Sequence, residues 1–183
     1  VKDNGLGMNI EDANKKFLTV GYDKRDKEKN EEGKVLTPKF KRLPMGRKGI
    51  GKLSTFAIAN SVKVESIKTL LEFDKDGEVI KETFGEKSAF LMDVKIIEEK
   101  AKAKEDYHPK EFDNDGEKFT DHIDFEKGTR ITLTDLKRKR GINPEFVRRN
   151  LARRFAIFGN NFKVSINGKE VTTNDRQYWD KLQ

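Results

Sequence analysis

Apolar residues in this chain are gathered into short periodic stretches, separated by long polar ones. From Asn9 to about residue 20, Ile10, Ala13, Phe17 and Leu18 have the spacing of a short helix. From Tyr22 to Arg42 the chain is mostly Lys, Asp, Glu and Asn, with little to bury, which predicts a mobile loop. The run Gly49–Asn60 (GIGKLSTFAIAN) reads as a glycine-rich turn opening a helix whose buried side is Leu53, Phe56, Ala57 and Ile58. Val62, Val64 and Ser66 then alternate with Lys63, Glu65 and Ile67, as in a strand. Asp76-Gly77 signals a hairpin between Leu71/Phe73 and Val79, and an apolar run follows from Ala89 to Val94.

The polar stretch from Glu98 to Lys127 predicts a surface excursion, so the span of about 70–127 is expected to hold a surface insertion. Thr129–Thr134 is strand-like, with Ile131 and Leu133 inward. Asn143-Pro144-Glu145 combines a capping side chain, a proline suited to the first helical position and an acid in the first turn. Val147, Leu151 and Phe155 then recur every four residues toward a stop at Gly159. Phe162, Val164 and Ile166 lead into Asn167-Gly168, a dipeptide preferred in type I′ hairpins. Strands and helices are mixed without a repeat, so the class is α/β or α+β, with a sheet covered on one face by helices. Residues 1–183 have the length of one domain.

Composition narrows the chemistry. There is no cysteine, which excludes disulfides and thiolate metal sites and fits a reducing, cytoplasmic compartment. His108 and His122, the two histidines, lie in polar sequence and argue against a His-based metal site. No apolar run approaches a membrane span, and no partner membrane is expected. The net charge of +7 comes from positive and negative residues interleaved along the chain, which favours solubility over a polyanionic partner for the chain as a whole. Val1-Lys2-Asp3-Asn4-Gly5 reads as the end of a strand entering a turn, with nothing before it to pair against. The expectation is a domain without its amino-terminal element.

Gly46-Arg47-Lys48-Gly49-Ile50-Gly51-Lys52 matches a P-loop except at its last position, where Leu53 replaces the magnesium-binding hydroxyl. Ser54 comes one residue late, about 100° further round a helix. The preceding residues 38–45 hold two prolines and three basic residues, unsuited to the buried strand that precedes a P-loop. The glycines still allow close approach of a ligand to backbone N–H groups at a helix start, with Lys48 and Lys52 adding charge. Phosphate binding without P-loop topology is the reading, beside the simpler one of a flexible turn before a core helix.

Three glycine-marked segments, in order, resemble the ATP-binding superfamily of gyrase, heat-shock chaperones, histidine kinases and MutL, which has the Bergerat fold. Asp3-Asn4-Gly5-Leu6-Gly7-Met8 resembles its DxGxG box, Gly46–Gly51 its GxxGxG box, and Gly128-Thr129 its Gly-Thr box. The resemblance implies an α+β two-layer sandwich with a mixed, mostly antiparallel sheet covered on one face by helices. It also implies that ATP, with Mg2+, is the cofactor. Asp3 would accept a hydrogen bond from the adenine amino group, and Gly5, Gly7 and Met8 would lie against the purine. Gly46, Lys48, Gly49, Ile50, Gly51 and Lys52 would meet the phosphates. Thr129 would reach the Asp3–adenine pair, often through water, and residues of about 9–45 would form a lid.

The family's helix with a catalytic Glu and a magnesium-binding Asn has no counterpart in the sequence. Glu145 to Asn150 is one residue too long and lies on the wrong side of the glycine boxes. No residue is therefore assigned as catalytic or as a metal ligand, and the magnesium ligand is expected upstream. The long lid and the GRKGIGKLS segment look more like MutL, MORC and related bacterial ATPases than like a kinase. That implies ATP-driven lid closure and a homodimer formed on ATP binding, in DNA repair, DNA processing or defence, with ATP hydrolysis by the full-length protein. The alternatives are an ATP-driven chaperone-like module and a non-catalytic binding domain that retains the fold. Lys137, Arg138, Lys139, Arg140, Arg148, Arg149, Arg153 and Arg154 form the densest basic cluster. It reads either as a DNA-phosphate contact or as a solvated helix face.

Overall fold

The computed structural model describes residues 1–22, 35–43, 51–138, 140–155 and 162–176. The chain divides into two compact units, Val1–Arg138 and Lys139–Gln183.

The first unit is built on three antiparallel strands in the order β2-β1-β3: β1 (Ala59–Phe73), β2 (Val79–Asp93) and β3 (Gly128–Leu136). Strands β1 and β2 form one long hairpin across the turn that contains Gly77. Residues 1–3 extend the sheet beyond β3. Lys2 bridges Arg130, and Val1 and Ile131 exchange backbone hydrogen bonds of 2.7–2.8 Å. One sheet face carries Val62, Val64, Phe90 and Met92, packed with Ala13 and with the partly buried Met8, Phe17, Phe56, Ile97, Tyr107, Ile131 and Leu133. Period-two alternation on β1 places Ser66 on this same face and Glu65 and Ile67 on the other.

Helical elements supply the cover for that first face. Helix α1 (Ile10–Asp12) is capped by Asn9, whose side chain accepts from Asp12 N–H at 3.0 Å, and it runs on as a π-helical segment, Ala13–Leu18. The predicted short helix is thus present but wider than an α-helix over most of its length. Helix α2 (Leu53–Ile58) is shorter than the sequence predicts, because β1 begins at Ala59. Its expected buried side is also corrected: Phe56 packs on the core, but Leu53 and Ile58 are 38% and 41% exposed and Ala57 is exposed too. A helix of under two turns can turn only about one side chain per turn onto a sheet. Helix α3 (Val94–Ala103) was not predicted. Asp93 caps it by accepting from Lys95 and Ile96 N–H, and Val94, Ile97 and Ala101 have the helical spacing that could have revealed it.

The span 70–127, expected as a surface insertion, contributes the outer part of β1, all of β2 and the cover of the second sheet face. Phe119, Ile123 and Phe125 pack there on Ile67 and Ala89. Beside them Glu65 is buried and bonded by Arg130 Nε at 2.6 Å and Nη2 at 2.9 Å, with Lys63 Nζ at 3.2 Å. Burial alone would raise the pKa of this carboxyl; the Arg130 and Lys63 bonds outweigh it and hold the pKa below its ordinary value. Among the described residues no helix is long and apolar enough to cross a membrane.

In the second unit, helix α4 (Pro144–Arg154) starts where the sequence predicts, with Asn143 accepting from Glu145 N–H at 2.9 Å. Strands β4 (Ser165–Ile166) and β5 (Lys169–Glu170) form the predicted hairpin, and Asn167 and Gly168 both have the positive φ of a type I′ turn. The predicted stop at Gly159 lies outside the described residues.

Candidate functional site

Residues Asp3–Met8 leave the sheet edge and cross the first face at the level of one row of paired residues. Asp3 N–H donates to Thr129 O at 2.9 Å, so Asp3 stands opposite Thr129 beyond β3. Gly7 then passes over the pair Ile67–Gly128, and Met8 over Ser66 and Ser88. Met8 N–H donates to Ser66 Oγ at 2.8 Å, and Ser88 Oγ donates to Met8 O at 2.9 Å. Thr69 N–H donates to Leu6 O at 2.7 Å. The backbone of the segment is therefore fastened on both sides of Gly7.

Two glycines make this crossing possible. A Cβ on Gly7, at φ +59°, would lie 1.9 Å from Ile67 O; one on Gly128, at φ +92°, would lie 2.0 Å from Asp3 O. Gly5 has a different use. Its N–H donates to Asp3 Oδ1 at 2.9 Å, which closes a tight turn around the carboxylate. Asp3 is exposed, and its second oxygen makes no hydrogen bond among the described residues. A carboxylate with one oxygen held and the other free suits a ligand that offers an N–H donor. Met8, expected against the purine, is half-buried and packs on the core cluster.

The Thr129 hydroxyl lies 2.9 Å from Ser66 Oγ. Ser66 and Ser88, which the sequence did not single out, are buried and hold the crossing segment. The only sequence signal for them is a pair of hydroxyl side chains within apolar strands. Of the phosphate-box residues, Gly46, Lys48, Gly49 and Ile50 lie outside the described residues. Gly51 would have open space around a Cβ, and Lys52 is drawn toward the end of the π-helical segment. The Lys52 ammonium donates to Phe17 O and, at 2.6 Å, to Thr19 O, and stands 5.6 Å from the Phe17 ring. Its partial burial lowers its pKa from the ordinary lysine value.

Both described ends of the expected lid are tied to the sheet. Ala13 is fully buried in the core, and Lys68 and Lys16 pair with Asp12. Farther on, Val35 is buried, Lys39 pairs with Glu82 at 2.5 Å and Lys41 Nζ donates to Gly77 O at 3.1 Å. The expected mobile loop is thus anchored over 35–43, and residues 23–34 lie outside the description.

A model of the family described as "Histidine kinase-, DNA gyrase B-, and HSP90-like ATPase" matches residues 1–129. The chain belongs to this ATPase family. Its α+β architecture, with an antiparallel sheet and helices on one face, is the family's. The ATPase-family chain is also 36% identical over 185 residues to a protein of Herpetosiphon aurantiacus described as "Putative type II restriction enzyme HgiDII". The alignment covers 100% of this chain and 26% of that relative, so the chain spans about a quarter of the relative's length. No solved structure matches it.

Members of the basic cluster differ in their surroundings. Lys137 Nζ donates to Phe56 O at 2.8 Å, while Arg148 is 6% exposed and pairs with Asp175 and, at 2.9 Å, with Glu145. Arg148 is therefore an internal brace of the second unit, which corrects its expected place on the outer helix face. The inner row of α4 is Arg148 and Ala152, one residue round from the expected row of Val147, Leu151 and Phe155. Arg140, Arg153 and Arg154 are exposed, Arg149 is half-buried, and Lys139 lies outside the described residues. His122 Nε2 lies 3.3 Å from both Asp113 and Glu117 in a polar cluster.

Proposed function

We propose that this chain is the adenine-binding module of an ATP-dependent protein that acts on DNA, with Asp3 as the acceptor for the adenine amino group. The observation that carries the reading is the Asp3–Met8 segment. Its backbone is fixed across the sheet by Ser66, Ser88 and Thr69, and one Asp3 oxygen makes no hydrogen bond among the described residues. Family membership supports ATP as the ligand. In this reading Gly5 and Gly7 bring backbone against the purine, and Gly46 to Lys52 meet the phosphates. Residues of about 9–45 close over the nucleotide, and that closure brings two copies together.

Among the described residues the fit is seen at the adenine end. No residue here takes the place of the family's Glu and Asn on a helix preceding the first glycine box, so no magnesium ligand and no hydrolytic step is assigned. Titration with a non-hydrolysable ATP analogue and with adenosine tests the reading by calorimetry. Both should bind, the analogue more tightly; binding of neither would sink it.

The DNA part of the reading rests on charge and on the name of the relative. Residues 139–183 hold ten Lys and Arg against four Asp and Glu, so this unit supplies +6 of the net +7. Arg140, Arg153 and Arg154 present such charge at its surface. Binding to a mixed-sequence duplex, followed by fluorescence anisotropy across a salt series, should weaken steeply as salt rises. Arg154→Ala should lower the slope of log affinity against log salt by about one. A salt-independent signal, or a slope unmoved by the substitution, would remove DNA from the proposal.

A further inference from the structure

The turn Asp113–Glu117 and the 3₁₀ turn Phe119–His122 bring three metal-ligating side chains together on the segment that covers the second sheet face. His122 Nε2 lies 3.3 Å from Asp113 Oδ2 and 3.3 Å from Glu117 Oε2, and the three ligand atoms all lie within 4.8 Å of one another. Among the described residues no other group of three such side chains converges in this way. The sequence hides the group, because the chain must turn at Gly116 before His122 can meet the carboxylates.

The backbone that carries these groups is fixed without their help. Asp113 N–H donates to Glu117 O at 2.9 Å, Phe112 bridges Lys118, and Phe119 N–H donates to Glu111 O at 3.0 Å. Phe119 and Ile123, before and after His122, are buried against Ile67 and Ala89. Asp113 Oδ1 accepts from Asp115 and Glu117 N–H at 2.9 Å each, while Oδ2 faces His122. A carboxylate held through one oxygen presents the other in a set direction, as the outer partners of a metal ligand do.

The same turn, Asp-x-Asp-Gly-Glu, occurs at Asp74–Glu78, where Asp74 Oδ1 accepts from Asp76 N–H at 3.0 Å and Glu78 N–H at 2.8 Å. The turn therefore forms without an ion, and what sets Asp113–Glu117 apart is His122. A charge-assisted N–H···O bond spans about 2.7–2.9 Å, and the single Nε2 hydrogen can serve only one carboxylate. Tetrahedral zinc, with bonds of about 2.0–2.2 Å, holds its ligand atoms about 3.3–3.6 Å apart. Both histidine–carboxylate separations fall in that range. The Glu117 side chain is 65% exposed, so it has room to rotate and close the third edge.

We propose that Asp113, Glu117 and His122 form a divalent cation site of the zinc type, with one nitrogen and two oxygen ligands and a fourth position left to water. Imidazole beside carboxylates suits zinc, whereas magnesium and calcium take oxygen ligands. The ion clips the 113–117 turn to the segment packed on the second sheet face. The site shares no residue with the crossing segment Asp3–Met8.

Calorimetric titration of the untagged full chain with Zn2+ alone tests this. The chain has no cysteine and two histidines, so His108 is the natural control for adventitious binding. One equivalent of zinc should bind the unsubstituted chain. His122→Ala and Glu117→Gln should each weaken that binding by at least about tenfold, the loss expected even when a residue that only orients a ligand is removed. His108→Ala, and Glu78→Gln in the sister turn, should leave it unchanged. Absence of stoichiometric binding would overturn the proposal, as would binding that survives both His122→Ala and Glu117→Gln. So would an equal loss in His108→Ala, which would mark the zinc as adventitious. If His122→Ala does not fold, Glu117→Gln against Glu78→Gln decides the matter alone.

Discussion

Gly7→Ala is expected to be the most damaging single-methyl change in the first unit, costing about 4 kcal/mol of folding stability. Three effects combine. A non-glycine residue at φ +59° carries the left-handed penalty of about 1–2 kcal/mol. The new Cβ would lie 1.9 Å from Ile67 O, a central-strand carbonyl with no freedom to move aside. The crossing segment must therefore lift, which strains the Met8 N–H bond to Ser66 and the Thr69 N–H bond to Leu6 O. In thermal unfolding the midpoint should fall by roughly 8–16 °C for a chain of this length. Gly77→Ala is the control: φ is +79° but the space around its Cβ is open, so only the backbone penalty applies. Equal losses at the two positions would show that contact with the sheet contributes nothing.

Asp3→Asn should weaken binding of an ATP analogue about 100-fold, with little change in stability. The structure gives this substitution a definite outcome, because Asp3 Oδ1 is already committed to Gly5 N–H. In asparagine the amide oxygen would keep that bond and the amide nitrogen would replace the free oxygen. The ligand would then face a donor where it had an acceptor, which sets donor against donor for an amino group. The same exchange suits a 6-oxo purine, so the relative affinity for an ITP analogue should rise. Calorimetric titration of both nucleotides measures this, and an unchanged ATP affinity would refute the role given to Asp3.

Part of the site was readable from residue order because its chemistry is local. Asp3, Gly5 and Gly7 lie within five residues of one another, and the tight turn between Asp3 and Gly5 needs no distant partner. Asn143-Pro144 and Asn167-Gly168 were equally legible, since a helix cap and a type I′ turn are decided by residues next to one another. Ser66 and Ser88 were not. Each looks like a polar interruption of a strand until register sets them beside one another and beneath Met8. Arg148 misled for the mirror reason: a charge on a helix suggests solvent, and the distant Asp175, with Glu145 one turn back, makes its burial tolerable.

Sequence by itself determined the alternating strands, the two hairpin turns, the glycine boxes and hence the ATPase family. All of these depend on period, turn chemistry and short spacing. Tertiary structure decided that the segment 104–127 covers the second sheet face, that α2 leaves Leu53 and Ile58 exposed, and that Lys52 holds the carbonyls of Phe17 and Thr19. It also decided that Gly7 and Gly128 are required by close contact rather than by a turn alone. The division follows from the forces involved. Backbone preferences act between neighbours in sequence, whereas burial, register and the placement of a hydroxyl hydrogen act between residues that meet only when the sheet has formed.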